Sequence, residues 1–297
     1  MERQGDNVYL ASSGRAKQFL ERERSGLKVH DLPAYDVRYP TANMPLNVAL
    51  QLPRWARTIY QEKRATAQLV QQLSIGRIIS DSRFGCYYPG IPSVMMTHQL
   101  HPITNSKPVS WLYRNYLKRC FTEFWVPDFP DQRLSGKLSN SDGYGEVRMI
   151  GPLSRLKPAK TLAAKVKSFT LLSGPEPMRS RLEAIILGQL KDIPGQHTLV
   201  RGIPSAKEPE LHNNITVYDF ADAHFLAAHL PAADWIICRS GYSTLMDLAA
   251  LEVSGKVLLV PTPGQTEQVF LARALVQNGD AEAMMDQGEV VLAGLIG

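Results

Sequence analysis

Cysteine is scarce in this chain. Its three cysteines, Cys86, Cys120 and Cys238, are far apart and odd in number, which argues against a disulfide framework or a zinc cluster and for a reducing, cytoplasmic setting. Long hydrophobic runs are also lacking: no stretch approaches the roughly 18–20 apolar residues needed to cross a bilayer, and Met1–Asp6 is not followed by the apolar segment of a signal peptide. Composition is ordinary, 44% hydrophobic and 21% charged, which sets aside low-complexity disorder and fibrous repeats. What remains is a globular chain of 297 residues, long enough at about 150 residues per domain for two buried cores.

The net charge of +5 is unevenly placed. Residues 1–150 carry 20 Lys and Arg against 13 Asp and Glu, and residues 151–297 carry 13 against 15. A basic first half beside a near-neutral second half suggests two domains with different partners, the first suited to an anionic substrate or surface.

Short apolar runs alternate with helical stretches in the second half, the pattern of βαβ units and a parallel sheet. Strands are expected at Ser168–Leu172, His197–Val200, Ile215–Tyr218, Asp234–Cys238 and Lys256–Val260, with helices at about Met178–Leu190, His224–Leu230, Ser243–Leu251 and Gln265–Val276. The first half is also α/β, with strands near Asn7–Ala11, Arg77–Ser80, Ser93–Met96 and Glu123–Val126. Its helices are expected at Arg15–Arg24, Asn47–Leu73 and Trp111–Phe121. The domain boundary falls near residue 153, giving domains of 1–153 and 154–297.

Three polar turns fall at the carboxyl ends of second-half strands, the edge at which open α/β sheets bind ligands. Ser173-Gly174 opens a strand-to-helix turn whose helix N-terminus can hold a phosphate, although it matches neither a Walker loop nor a dinucleotide fingerprint. In Arg239-Ser240-Gly241, the glycine allows close backbone approach, and Ser240, Ser243 and Thr244 can cap the helix or donate to a phosphate. Asp247, one turn into that helix, can accept from ribose hydroxyls. Leu245 stands where a serine-hydrolase elbow needs glycine, so that reading fails. In the third turn, Glu267 and Gln268 suit bidentate bonding to a polyol, with Gln265 or Thr266 capping the helix.

The histidine pairs His98/His101 and His224/His229 have no further ligands at a recognisable spacing, so no metal is expected. His98, just past a strand, can serve as a general base or as a structural histidine. The Trp111–Phe121 segment alternates aromatics with cations. Core packing with snorkelling cations is the favoured reading, and contact with an anionic membrane the alternative.

The segments 215–220, 239–249 and 260–268 resemble the C-terminal, nucleotide-sugar-binding domain of glycosyltransferase family 28, the family of the MurG-type N-acetylglucosaminyltransferases. Residues 81–100 look like the N-terminal domain of bacterial members. The resemblance implies an α/β fold of two Rossmann-like domains facing a cleft (GT-B), with a UDP-sugar as donor substrate and neither cofactor nor metal. It places Phe220 and Ala221 against uracil, and Ser173, Gly174, Ser240, Gly241, Ser243 and Thr244 against the diphosphate. Asp247 would take the ribose, Glu267 and Gln268 the donor sugar, while Arg239 and helix N-termini stabilise the departing UDP. Family members open with a strand and a glycine-rich Gly-His loop. Here Glu2–Gly5 resembles the tail of the first helix, and no room for the closing helices follows Leu292, so the first domain is expected to lack its first strand and loop, and the chain is expected to be truncated at its N-terminus and at its C-terminus.

The resulting expectation is metal-independent, inverting transfer of a hexose or N-acetylhexosamine to a lipid-linked or polymer acceptor. The enzyme would be cytoplasmic, with peripheral contact to an anionic membrane and no nucleic-acid partner. The alternatives are a non-catalytic nucleotide-sugar-binding subunit needing a partner for the acceptor half, and a UDP-N-acetylglucosamine 2-epimerase-like enzyme, for which the extra carboxylates and histidines are not evident.

Overall fold

A computed structural model describes residues 5–23, 26–35, 44–104, 106–203 and 207–297. Residues 1–4, on which the helix-tail reading of Glu2–Gly5 largely rests, and Arg24, the expected end of the first helix, lie outside them. The chain divides into two compact units that are discontinuous in sequence. The first takes in residues 1–97, 106–125 and 142–148, and the second residues 98–105, 126–141 and 149–297.

The first unit is built from β1 (Leu10–Ser12), α1 (Gly14–Glu23), β2 (Val29–Asp31), α2 (Met44–Leu73), β3 (Ile78–Asp81), β4 (Ser93–Met96), α3 (Lys107–Cys120), β5 (Glu123–Val126) and β6 (Glu146–Met149). Its strands lie in two sheets, a parallel β1–β2 pair and a sheet of order β3-β4-β5-β6 in which β3, β4 and β5 are parallel. A polar keystone ties the pieces together. Glu62 on α2 is fully buried, and its carboxylate accepts from Arg83 Nε at 2.6 Å, Tyr35 Oη at 2.5 Å and the Gly85 amide at 3.0 Å. Arg83 also donates to Ser13 Oγ at 3.1 Å, past the end of β1, and to the Pro33 carbonyl beyond β2. Gly85 is required here, because a Cβ would lie 2.4 Å from the Ile59 carbonyl oxygen.

The second unit continues with β7 (Val166–Leu171), α4 (Met178–Leu190), β8 (His197–Val200), β9 (Glu210–His212), β10 (Ile215–Tyr218), α5 (Ala223–His229), β11 (Ala233–Cys238), α6 (Tyr242–Ala250), β12 (Lys256–Leu259), α7 (Thr266–Asn278), β13 (Ala283–Met284) and α8 (Ala293–Ile296). Its single sheet runs β13-β12-β11-β7-β8-β10-β9, parallel except for the antiparallel edge strand β9. β11 and β12 are apolar on both faces over Trp235–Cys238 and Val257–Leu259 because both faces are covered. Ile236 and Leu259 point into a core with Leu226, Leu245, Leu248 and Leu271 from α5, α6 and α7, while Ile237 and Leu258 point into one with Leu182, Ile186 and Leu190 from α4 and Ile296 from α8.

Two expectations are corrected by exposure. On α3, Leu117 is buried and Tyr113 and Tyr116 are half-buried, but Trp111 is 61% and Leu112 63% exposed, so the favoured core packing holds for only one side of that helix. β9 and β6 were not expected, since β9 is wholly exposed and β6 alternates exposed and half-buried positions, which leaves no apolar run to mark them.

Candidate functional site

From β7 the chain steps through β8 to β10 on one side, then returns to β11 beside β7 and steps through β12 to β13 on the other. The reversal at β7/β11 is a topological switch point, where the loops leaving the carboxyl ends of two adjacent strands diverge and leave a crevice. Ser173-Gly174 leaves β7, Arg239-Ser240-Gly241 leaves β11 and Pro261–Gln265 leaves β12.

These three turns meet. Gly174 has φ +101°, and a Cβ placed on it would lie 3.5 Å from Thr262 Oγ1. The Thr262 amide donates to Gln268 Oε1 at 2.8 Å, and a Cβ on Gly241 would lie 3.9 Å from Gln268 Nε2. Residues nearly a hundred positions apart thus share one rim. Gln268 Nε2 also donates to Gln265 Oε1 at 2.6 Å. The amide is locked by these two bonds, and an NH₂ group has a second hydrogen to offer a ligand. Gln265 stands at the N-cap position of α7, but its side chain caps no backbone N–H.

Thr262 is the residue that sequence reasoning missed. It is 2% exposed and its hydroxyl has no hydrogen-bond partner, a costly state for a buried polar group, at the point where Gly174 brings no side chain. Its only sequence signal is its place in Pro261-Thr262-Pro263, a rigid turn after a strand.

The helix N-termini at the rim differ. α6 begins at Tyr242 after Gly241, with no side-chain cap, so its first-turn N–H groups and the partial positive charge there are open to an anion. Ser243 is exposed and Thr244 half-buried in that turn. At α4 the place is taken: Glu176 Oε2 accepts from the Ser180 amide at 3.2 Å and Glu176 Oε1 from Arg179 Nε at 2.7 Å. The bonds from Ser180 and Arg179 hold the Glu176 carboxyl below the usual carboxylate range. The Ser173-Gly174 turn therefore reaches the rim through its backbone and not through an open helix end.

Arg239 and Ser240 are corrected from ligand contacts to scaffold. Arg239 is 1% exposed. Its Nη1 donates to the Val260 and Pro261 carbonyls and its Nη2 to the Met178 carbonyl, each at 3.0 Å, and Nη2 also donates to Gln287 Oε1 at 2.6 Å. Burial lowers its pKa to about 10. Ser240, fully buried, donates to the Gln268 carbonyl at 2.8 Å. Both tie the turns to one another: the two Nη groups of Arg239 and the Ser240 hydroxyl donate inside the fold, and the buried Arg239 Nε makes no hydrogen bond.

Asp247 sits on α6 and accepts from Ser154 Oγ; burial raises its pKa. Phe220 is exposed and Ala221 buried just past the end of β10, two strands from β7. His98 packs within the second unit. Its ring stacks on Tyr242 with centroids 3.8 Å apart and planes 8° from parallel, and His98 Nε2 lies 2.7 Å from Glu267 Oε1. His101 Nε2 pairs with the Asn140 carbonyl, and His229 Nδ1 with the Phe225 carbonyl.

Residues 196–295 match the glycosyltransferase family 28 C-terminal domain. Over 92 residues, 30% of this chain, the sequence is 42% identical to the UDP-N-acetylglucosamine–N-acetylmuramyl-(pentapeptide) pyrophosphoryl-undecaprenol N-acetylglucosamine transferase of Desulforudis audaxviator (strain MP104C). The matched stretch spans 23% of that relative's length. Among solved structures, MurG of Acinetobacter baumannii is similar with a TM-score of 0.58 at 15% identity, over 99% of this chain and 81% of that one. The kitacinnamycin glycosyltransferase is similar with a TM-score of 0.66 at 15% identity, over 99% and 83%. The spinosyn rhamnosyltransferase SpnG, solved with thymidine diphosphate, gives 0.62 at 15% identity over 97% and 80%. The chain thus shares the GT-B fold of these glycosyltransferases, and its residues 196–295 match the glycosyltransferase family 28 C-terminal domain.

Proposed function

We propose that the protein transfers a hexose or N-acetylhexosamine from a UDP-sugar to a lipid-linked or polymer acceptor, with inversion at the anomeric carbon and without a metal. The observation that carries this reading is the closure of Gly174, Thr262, Gln268 and Gly241 into one rim at the switch point. Along that rim, the strands β12, β11, β7, β8 and β10 follow one another at about 4.8 Å, room for an extended nucleotide-sugar. The diphosphate lies at the open N-terminus of α6, on Gly241, Ser243 and Thr244, with the Thr262 hydroxyl and the Gly174 backbone completing its shell. Asp247 accepts from the ribose, and Phe220 and Ala221 border the base. Preorganised donors of this kind are worth about 2.7–4 kcal/mol each when charge develops on a leaving group, so helix N–H groups do here what a cation does elsewhere.

The lipid-linked acceptor is supported by the name of the Desulforudis relative, a pyrophosphoryl-undecaprenol transferase. It is supported also by α3, where exposed Val109, Trp111 and Leu112 stand on the same helix as exposed Lys107, Lys118 and Arg119, an arrangement suited to an anionic membrane surface. Peripheral attachment at the cytoplasmic face of a membrane follows from that reading.

The deciding experiment is calorimetry and thermal shift with UDP, GDP and TDP and their sugars, since a ligand of the native state raises Tm. UDP and UDP-sugars are expected to bind, and Asp247→Ala to weaken both. Unchanged affinity in that variant would remove the ribose role. Transfer abolished by a chelator and restored by manganese would remove the metal-free mechanism.

A further inference from the structure

We propose that Ser154 is a positioning residue for the nucleotide's ribose: its hydroxyl fixes the Asp247 carboxylate through Oδ1 and leaves Oδ2 for the 2′,3′-diol. This deepens the ribose contact assigned to Asp247 above and rests on it.

On its own Asp247 would be a loose ligand. The last torsion of an aspartate joins an sp³ to an sp² carbon and has a broad energy well, so a half-buried carboxylate on a helix swings unless something holds it. Ser154 holds it from outside α6. A carboxylate only accepts, so the Ser154 hydroxyl donates to Asp247 Oδ1. That hydroxyl is itself fixed. The Leu156 amide donates to Ser154 Oγ at 2.9 Å, which occupies a lone pair and leaves the hydrogen for Asp247. Leu156 is 3% exposed and shares a core with Leu245 and Leu248 of α6. One residue before Ser154, the Leu153 amide donates to Met246 Sδ at 3.4 Å. Two successive residues ahead of β7 are thus seated on two successive residues of α6, across 93 positions of sequence.

Asp247 Oδ2 makes no hydrogen bond among the described residues, so one oxygen is spent and the other is open. Arg155 is the charged group that also acts on this carboxyl: burial raises its pKa, while the Ser154 hydrogen bond and the Arg155 charge oppose the rise. Ser154 therefore favours the ionised form, the stronger acceptor. An oriented acceptor also tells a diol from a single hydroxyl. A ribonucleotide offers it two adjacent donors and a 2′-deoxyribonucleotide one, and a partly buried carboxylate left short of a donor is costly. Ser154 thereby sets how strongly the site prefers ribonucleotides.

The test pairs Ser154→Val with Ser154→Thr, which have nearly the same shape and differ in the hydroxyl, and adds Asp247→Ala and the double variant D247A/S154V. Calorimetry measures binding of UDP and of 2′-deoxy-UDP, the first also against pH. S154V is expected to weaken UDP binding about fivefold, near 1 kcal/mol, and S154T to stay within about twofold of wild type. D247A/S154V binds no worse than D247A, and the preference for UDP over 2′-deoxy-UDP falls in S154V. Without the Ser154 donor the Asp247 pKa rises further, so the loss of affinity with falling pH begins at a higher pH in S154V but not in S154T. The nucleotide's own titration is common to all variants and is read from Asp247→Asn. Unchanged UDP affinity in S154V would make Ser154 a bystander, and tighter binding would make it a placeholder that ribose displaces; either overturns the proposal. Equal losses in S154T and S154V, or losses that multiply in the double variant, overturn it too. Should S154V not fold, Ser154→Ala takes its place in each comparison. Two other failures are distinct from these. If wild type does not bind UDP, the transfer reading is removed; if D247A leaves UDP binding unchanged, the ribose contact is removed. Ser154's role falls with either.

Discussion

The turns after β7 and after β11 sit on adjacent strands at one sheet edge, and both lead into a helix. Yet only one offers a helix end to an anion. After β11 the chain enters α6 directly from Gly241, with no side-chain cap on its first N–H groups. After β7 it detours through Pro175–Pro177, and Glu176 folds its carboxylate onto the α4 start. A polar turn before a helix is therefore insufficient evidence of a phosphate site; what decides is whether the protein has already supplied the anion.

The harshest way to break this contrast is to remove the group holding both turns. Arg239 connects the carbonyl of Met178, at the start of α4, to those of Val260 and Pro261. Arg239→Met strands these buried acceptors, at about 1–3 kcal/mol for each one left unsatisfied, so urea unfolding is expected to show a loss of several kcal/mol. A loss below about 1 kcal/mol would mean that the buried cation contributes little to the rim.

Next comes the contrast itself. Thr244→Val with Ser243→Ala is expected to weaken UDP binding about tenfold, near 1.4 kcal/mol, whereas Ser173→Ala leaves it within about twofold; calorimetry on both variants decides, and equal effects would erase the distinction. A smaller effect separates the two carboxylates by pH. Burial raises the pKa of Asp247, whereas Ser180 and Arg179 lower that of Glu176. As pH falls, Asp247 protonates above the ordinary aspartate range and, in the ribose role proposed above, loses part of its capacity to accept. UDP affinity measured against pH is thus expected to decline above the ordinary aspartate range, and Asp247→Asn should flatten that decline. The α4 end behaves oppositely: Glu176's folded pKa is depressed, so its stabilisation is present above the unfolded carboxyl range and is lost as pH falls through the lowered value. Smallest of all, Glu176→Gln should lower Tm slightly, since the carboxylate is solvent-exposed and its ion pair is screened. Thermal melts at low and high salt check this.

Much of the second unit was legible because its strands are buried on both faces. His197–Val200 and Ile215–Tyr218 stand out as short runs rich in β-branched and apolar residues and fold with those bounds. Gly241 and Gln268 announce themselves through local chemistry, a glycine turn and a polar helix start. Legibility failed where the signal is weak or distant. Glu210–His212 forms an edge strand whose ladder comes from β10 and not from its own side chains. Residues 98–105 and 126–141 leave the first half of the chain to join the second unit, which no local pattern announces.

Amino-acid order alone determined the alternation of strand and helix, the apolar faces of the second sheet and the presence of polar turns at strand ends, since periodicity and turn chemistry act over a few residues. Only the tertiary structure decided which of those polar groups remain available. Arg239 and Ser240 read as ligand contacts until burial turns the Arg239 Nη groups and the Ser240 hydroxyl onto acceptors inside the fold, and Thr262 reads as a spacer until burial leaves its hydroxyl unpaired. His98 and Glu267 are separated by 169 positions and meet at 2.7 Å. Whether a side chain has a hydrogen bond to give depends on what surrounds it, and the chain supplies those neighbours only after it has folded.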